Sequence, residues 1–186
     1  MKRFDLRKTV AVVASLNFMY FGVEFLFAQI FDSLALLSDS LDFLEDASIN
    51  LLILLAMAWS IQARKKVSYV LALVLLMPGM VFVVEAVSRF NKPVQPDGIG
   101  MSLVGIGALI VNVYCAALLT SHKGDVGGLA KAAYLSARND ALANLLIISA
   151  GALTYFWVSQ IPDLVIGVII FSMNFDAARK VLKAPR

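Results

Sequence analysis

The stretch SLALLSDSLDFLEDASIN, residues 33–50, decides how the rest of the chain must fold. It is largely apolar, yet it carries four acidic side chains within eight positions: Asp39, Asp42, Glu45 and Asp46. In a helix, Asp39, Asp42, Asp46 and Asn50 lie within roughly 80° of one another, whereas Glu45 points about 100° away from Asp46. An ionisable group inside a bilayer costs roughly 2.5–3.5 kcal/mol on insertion scales. We therefore expect these side chains to face a cation, a proton or a partner helix rather than lipid.

The composition of the chain is typical of a membrane protein. Of its 186 residues 60% are hydrophobic and the mean hydropathy is +0.83, whereas soluble domains are roughly 45–50% apolar. The apolar runs 10–30 and 67–84 have about the 20 residues that cross a bilayer as a helix. The first run is too long for the apolar part of a signal peptide, and no cleavage site follows it. Because Cys115 is the only cysteine, neither disulfides nor a cysteine-based metal site are expected.

The pattern predicts an all-α membrane protein whose six transmembrane helices form one domain, with no soluble domain. The predicted helices are 9–30, 34–62, 67–90, 98–121, 127–158 and 162–182. Short links join them, and we expect Pro93, Pro96 and Gly98 to interrupt the third link.

The basic residues are distributed unevenly between the two sides of the predicted bundle. Thirteen Lys and Arg residues lie on the side that carries the termini and the second and fourth links. The opposite side has only two, Arg89 and Lys92. The positive-inside rule then places both termini in the cytoplasm. A nucleic-acid-binding face is the competing interpretation of the pI near 9.1, but this distribution argues against a nucleic-acid partner. We expect a multi-pass integral protein of the lipid bilayer, in the inner (plasma) membrane of the cell.

A second polar group lies in the fifth predicted helix, where Ser136 and Asp140 share one face. Asp46 lies roughly 20 Å from the outer end of helix two, and Asp140 a similar distance from the inner end of helix five. Both fall near the middle of a hydrocarbon core about 30 Å thick. If these helices pack together, Asp42, Asp46, Ser136 and Asp140 converge on an all-oxygen site. Oxygen ligands suit ions such as Mn²⁺, Mg²⁺ and Fe²⁺.

Other polar residues in the predicted helices are candidates for supporting roles. These accessory candidates are Asn17, Asp39, Glu45, Arg138, Asn139 and Asn144. Glu45 and Arg138 are also candidates for a structural ion pair, and we interpret Glu24 and Glu85 as structural or near-interface groups. The alternative interpretation of all these acids is purely structural: they form hydrogen bonds between helices and bind no ion.

Three segments resemble signatures of the cation diffusion facilitator (CDF) family. SLALLSDSLDFLED (33–46) resembles its second-helix signature, KAAYLSARNDALAN (131–144) its fifth-helix signature, and VEAVSRFNKPV (84–94) the region that closes its third helix. The resemblance covers about residues 15–179. It implies a CDF-like bundle with both termini inside, a homodimer, and proton-coupled export of a divalent metal by alternating access.

Carried over by position, the resemblance implies the metal ligands Asp42, Asp46, Ser136 and Asp140. Zinc carriers of the family usually have His at the position of Ser136, and often at that of Asp42. The implied cargo is Zn²⁺, Mn²⁺, Fe²⁺, Co²⁺ or Cd²⁺, with no prosthetic group, and the lack of His should disfavour Zn²⁺. A second departure is the expected lack of the family's C-terminal cytoplasmic domain, which helps relatives to dimerise.

Two other functions remain open on the same fold. One is a transport-inactive or regulatory membrane scaffold, and the other is a transporter of an organic cation. An intramembrane enzyme is not expected, because no histidine lies near the acidic cluster and His122 falls in a predicted cytoplasmic link. Stoichiometric binding of a divalent ion distinguishes the metal transporter from the other two.

Overall fold

The structure of the chain is a computed structural model that describes residues 6–56, 60, 80–89, 91–120 and 129–183. Side chains are described for these residues except at 56, 129–138 and 174–183. Throughout this part of the chain the regular elements are α-helices and no strand occurs, as predicted. The helices are α1 (Leu6–Ile30), α2 (Leu34–Ala56), α3 (described over 80–89), α4 (Gly98–Thr120), α5 (Leu129–Phe156) and α6 (Ile161–Lys183).

The helix boundaries fall within a few residues of the predicted ones. Gly98 is the first residue of α4, where the predicted fourth helix also begins. Asp97 precedes it as the N-cap, because its Oδ1 accepts hydrogen bonds from the backbone N–H groups of Ile99 and Gly100, both at 3.1 Å. α5 ends at Phe156, two residues before the predicted end.

Several predictions fall on parts of the chain that the structure does not describe. They are the inner end of helix two (57–59 and 61–62), the first part of helix three (67–79), the second link (63–66) and the fourth link (121–126). Most of the basic residues that predict the orientation also lie outside the described side chains. That six helices cross the membrane, and that both termini lie in the cytoplasm, therefore remain predictions.

The described helices expose many large apolar side chains while burying several polar ones. On α1, Phe18 and Met19 are 62% and 69% exposed, whereas Asn17 and Glu24 are completely buried. α1 and α4 are also long and apolar enough to cross a bilayer, with mean hydropathies of 1.8 and 2.1 over their best windows. This arrangement suits a bundle surrounded by lipid, because a carboxyl group is far costlier against hydrocarbon than in a polar interior.

α2 is the central helix, since it packs against α1, α4, α5 and α6. Close backbone contacts hold its neighbours in place. A Cβ atom added to Gly167 of α6 would lie 2.8 Å from the backbone carbon of Leu34, at the start of α2. A Cβ atom added to Gly98 of α4 would lie 2.9 Å from the backbone nitrogen of Tyr155 in α5, and even closer to the carbonyl oxygen of Gly151. The backbones of α4 and α5 are therefore in direct contact at this point.

Candidate functional site

The acidic side chains of α2 are turned into the bundle. Asp39 is completely buried and Asp46 is 8% exposed, while Asp42 and Glu45 are half-buried. They are enclosed because α2 has helices on several sides, and nearly every residue from 33 to 50 is buried. The bundle thus encloses Asp39 and Asp46 and partly encloses Asp42 and Glu45.

α2 and α5 bring Asp46 and Asp140 together. Their carboxyl groups lie within hydrogen-bonding reach of each other at the contact between the two helices. Asp39 and Glu45 are close enough to add their negative charge to the surroundings of Asp140. Like charges repel strongly where water is excluded, so a cation or a proton between Asp46 and Asp140 stabilises the pair. The convergence of helices two and five predicted for these two residues is thus observed.

Two asparagines hold matching positions beside these carboxyl groups. Asn50 Nδ2 donates to the backbone carbonyl oxygen of Asp46 at 2.8 Å, and Asn144 Nδ2 donates to that of Asp140 at 2.7 Å. The Oδ1 atoms of Asn50 and Asn144 are buried and meet no hydrogen-bond donor among the described residues. Amide oxygens are hard ligands, and Asn50 and Asn144 each lie one helical turn beyond the aspartate on the same helix face. The D-x-x-x-N spacing, repeated in α2 and α5, is the sequence signal for this feature, and Asn50 was expected on the same face of α2 as the aspartates.

The remaining predicted site residues differ in where they lie. Asn17 is buried, and its Oδ1 accepts a hydrogen bond from the Cys115 thiol of α4 at 3.8 Å. Asn139 is exposed, so its side chain does not join the cluster. The side chains of Ser136 and Arg138 lie outside the described residues, and a role for either in a ligand set or an ion pair remains a prediction. Among the side chains that the structure does describe, no three acidic, histidine or cysteine groups converge to hold a metal ion together.

A second pair of carboxyl groups joins α1 to α2. Glu24 and Asp39 are both 0% exposed and their carboxyl groups lie against each other. Tyr20 lies nearby, but its hydroxyl donates to the backbone oxygen of Val104 at 2.7 Å instead. Glu24 was interpreted as a structural or near-interface group; the bundle encloses it because Asn17 and Glu24, seven residues apart, share the inward face of α1.

The start of α2 is held by Asp163 of α6, a residue that the sequence analysis missed. Asp163 is 1% exposed. Its Oδ1 accepts from the Ser33 hydroxyl at 2.6 Å and from the Ala35 N–H at 3.0 Å, and its Oδ2 accepts from the Leu34 N–H at 2.7 Å. Ser33 Oγ in turn accepts from the Leu36 N–H at 3.1 Å. One carboxylate therefore satisfies N–H groups that the first turn of a helix leaves unpaired.

Arg89, near the end of α3, completes this arrangement. It is 7% exposed and lies 3.9 Å from Asp163 Oδ2 and 3.8 Å from Asp32 Oδ1, and it also donates to the Asp32 backbone oxygen. Asp32 itself has a positive φ of 51°, which turns the chain from α1 into α2. We call Asp32, Ser33, Arg89 and Asp163 the Asp163 network. The signal that could have revealed it is an acidic residue in the first turn of α6, directly after Pro162.

Comparisons with known proteins agree with this architecture. The family described as the cation efflux transmembrane domain matches residues 10–184. The chain is similar to the cadmium, cobalt and zinc/H(+)-K(+) antiporter of Bacillus subtilis (strain 168), at 26% identity over 180 residues, covering 86% of this chain and 57% of that protein. It is also similar to the zinc transporter ZitB of Yersinia pestis, at 24% identity over 190 residues, covering 95% of this chain and 60% of that protein.

The chain thus spans less than two thirds of the length of either relative. The family match, in contrast, extends over nearly the whole chain and includes both acidic helices. The resemblance predicted from residues 33–46 and 131–144 is therefore confirmed. The chain is a membrane protein that belongs to the cation efflux transmembrane domain family.

Proposed function

We propose that the chain exports divalent metal cations from the cytoplasm in exchange for protons. The observation that carries the proposal is the pair of buried carboxyl groups, Asp46 and Asp140, which face each other across the contact between α2 and α5. Within a cation efflux family, such a pair inside a lipid-embedded bundle is best explained as a site for a positively charged cargo.

The proposed ligands are Asp42, Asp46, Ser136 and Asp140. Asp46 and Asp140 provide the two carboxylates at the centre, and Asp42 lies one helical turn away on the same face of α2. The names of both relatives include zinc, and one also includes cadmium and cobalt. We propose Zn²⁺, Cd²⁺ or Co²⁺ as cargo on that basis, and Mn²⁺ or Fe²⁺ on the basis of the all-oxygen ligand set.

The proposed topology is six transmembrane helices with both termini in the cytoplasm of an inner-membrane protein. The Asp163 network then closes the outer end of the bundle. The deprotonated carboxylates bind a metal ion from the cytoplasm, and the bundle rearranges about this midplane site to open outward. On the outer side protons compete for the carboxylates and release the metal, since metal ligands must be deprotonated to bind. A homodimer is proposed from the family resemblance.

The test is metal flux into proteoliposomes that contain the purified chain. The cargo candidates are supplied one at a time, and a fluorescent pH indicator inside the vesicles reports proton movement. We expect Asp46→Asn and Asp140→Asn each to lower metal flux and metal-dependent proton flux at least about tenfold, as loss of a ligand predicts. Glu85→Gln is the matched control, because it makes the same kind of change at a half-buried acid of α3.

The proposal fails if wild-type protein shows no metal flux, or if the flux persists in the Asp46→Asn, Asp140→Asn double variant. Flux of an organic cation through wild-type vesicles, without metal flux, would identify an organic-cation transporter instead. No flux of either kind, in protein that remains folded, would favour the scaffold function.

A further inference from the structure

We propose that Glu24 and Asp39 form a second cation site, separate from Asp46 and Asp140, which holds a divalent metal ion as it moves between the bundle centre and the Asp163 network. The inference relies on the proposed function only for the identity of the ion. The site itself follows from how α1 and α2 place these two side chains.

The carboxyl groups of Glu24 and Asp39 are enclosed without any hydrogen-bond donor among the described residues. Both side chains are 0% exposed, and their four carboxyl oxygens meet no donor group of another described residue; the two acids lie within hydrogen-bonding reach of each other alone. The nearest phenol, Tyr20, directs its proton to the Val104 backbone oxygen and not to either acid. Buried polar groups almost always have partners. Four carboxyl oxygens without a donor at one point of a helix–helix contact are therefore an unusual and informative exception.

The charge of the pair points to a bound cation. Two carboxylates that face each other out of water need a cation or a shared proton between them, because the desolvation cost of each is several kcal/mol; the ion count below distinguishes the two. Arg89 does not serve this purpose: the ion pairs that the structure shows for it are with Asp32 and Asp163. One divalent ion carries the charge that balances two carboxylates, and carboxylate oxygens are the ligands that hard divalent ions prefer.

The position of the pair along the bundle indicates its role. Asp39 lies seven residues before Asp46 on α2, which corresponds to about 10 Å along the helix axis. It also lies only about 8 Å from the start of α2, where the Asp163 network holds Leu34. Asp42 lies between the two carboxyl pairs and is close enough to Glu24 to affect it electrostatically. Asp46, Asp42 and Asp39 thus follow one another along α2, from the centre of the bundle towards one end. Asp140 faces the first of them and Glu24 faces the last.

The test is a count of bound ions on the purified full chain, by equilibrium binding of radioactive Zn²⁺ at a single pH at which both acidic sites are accessible to metal. We expect two ions per wild-type chain, one in Glu24→Gln and one in Asp39→Asn. Asp46→Asn should also bind one ion, and the Glu24→Gln, Asp46→Asn double variant none. Glu85→Gln is the matched control and should keep both ions. A Cd²⁺ titration on the same samples provides a second count.

The melting temperature of each variant without metal shows whether it is folded. Gln and Asn match the shape of the acids and remove a buried charge, so we expect Glu24→Gln and Asp39→Asn to be as stable as wild type without metal. Metal should raise the melting temperature of these two variants by less than it raises that of wild type. The inference is overturned if Glu24→Gln and Asp39→Asn bind as many ions as wild type. It is also overturned if wild type binds a single ion and Asp46→Asn binds none, because Glu24 and Asp39 then hold a proton and no metal ion. If Asp46→Asn binds as many ions as wild type while Glu24→Gln binds fewer, the second site stands and the proposed central site fails.

Discussion

Asp163→Asn is the substitution whose effect on stability the structure defines most closely. The Asp163 carboxylate accepts three hydrogen bonds from the start of α2 and faces Arg89 at 3.9 Å. Asn has a single oxygen, so its NH₂ group must point at a donor. One donor then loses its acceptor, at a cost of about 1–3 kcal/mol for a buried group.

The charge of Arg89 adds to this cost. Arg89 is 7% exposed, and its other acidic partner, Asp32, has a side chain that is 53% exposed. Removing one member of a buried ion pair costs about 3–5 kcal/mol. Because Asp32 still offsets part of the Arg89 charge, we expect Asp163→Asn to lower the free energy of unfolding by about 3–5 kcal/mol in total.

The measurement is equilibrium unfolding of the purified chain in mixed detergent micelles. Asp97→Asn is the matched control: Asp97 is the exposed N-cap of α4, and Asn caps a helix about as well as Asp, so its effect should be below about 0.5 kcal/mol. The Arg89→Met, Asp163→Asn double variant should be more stable than Asp163→Asn alone, because both variants keep the same amide acceptor for the start of α2 but only the single variant leaves a buried guanidinium without its main partner. The reasoning is refuted if Asp163→Asn destabilises the protein by less than about 1 kcal/mol.

Two further predictions concern the α4–α5 contact and the amide beside Asp140. In Gly98→Leu, the new side chain meets the backbone of Gly151, and we expect about 1–3 kcal/mol of destabilisation or a separation of the two helices, measured by the same unfolding assay; wild-type stability would show that the backbones are not in contact. In Asn144→Leu, the hydrogen bond to the Asp140 carbonyl and a buried oxygen are both lost, and we expect Zn²⁺ affinity to fall about tenfold in calorimetric titration. Ser149→Ala, which removes a similar i−4 hydrogen bond from an exposed face of α5, is the control for Asn144→Leu; equal affinities in the two variants would contradict a role for the amide.

The helices and the inward-facing acids could be predicted because both depend on local properties of the chain. Apolar runs of bilayer length, interrupted by Pro93 and Pro96, predict where helices begin and end. The high cost of a carboxyl group in hydrocarbon predicts that Asp39 and Asp46 face inward, whatever the neighbouring helices are. The pairing of Asp46 with Asp140 was within reach as well, since both residues lie at one depth of the predicted bundle.

The positions that were missed depend on contacts between residues far apart in the chain. Asp163 meets Ser33 across 130 positions, and nothing in either local sequence identifies the other as its partner. The contact of Glu24 with Asp39 is likewise not identified by either local sequence. The burial of Glu24 against Asp39 results from how α1 is rotated about its axis when it packs on α2.

The sequence by itself thus determined that this chain is a helical membrane protein with an acidic interior and a cation efflux signature. The physical reason is that helix period, span length and desolvation cost act over a few residues. Only the tertiary structure decided which acids face one another. Helix rotation and the close approach allowed by Gly98, Gly151 and Gly167 depend on the packing of the whole bundle. It was this packing that separated Glu24 and Asp39 from Asp46 and Asp140, and joined Asp163 to the first turn of α2.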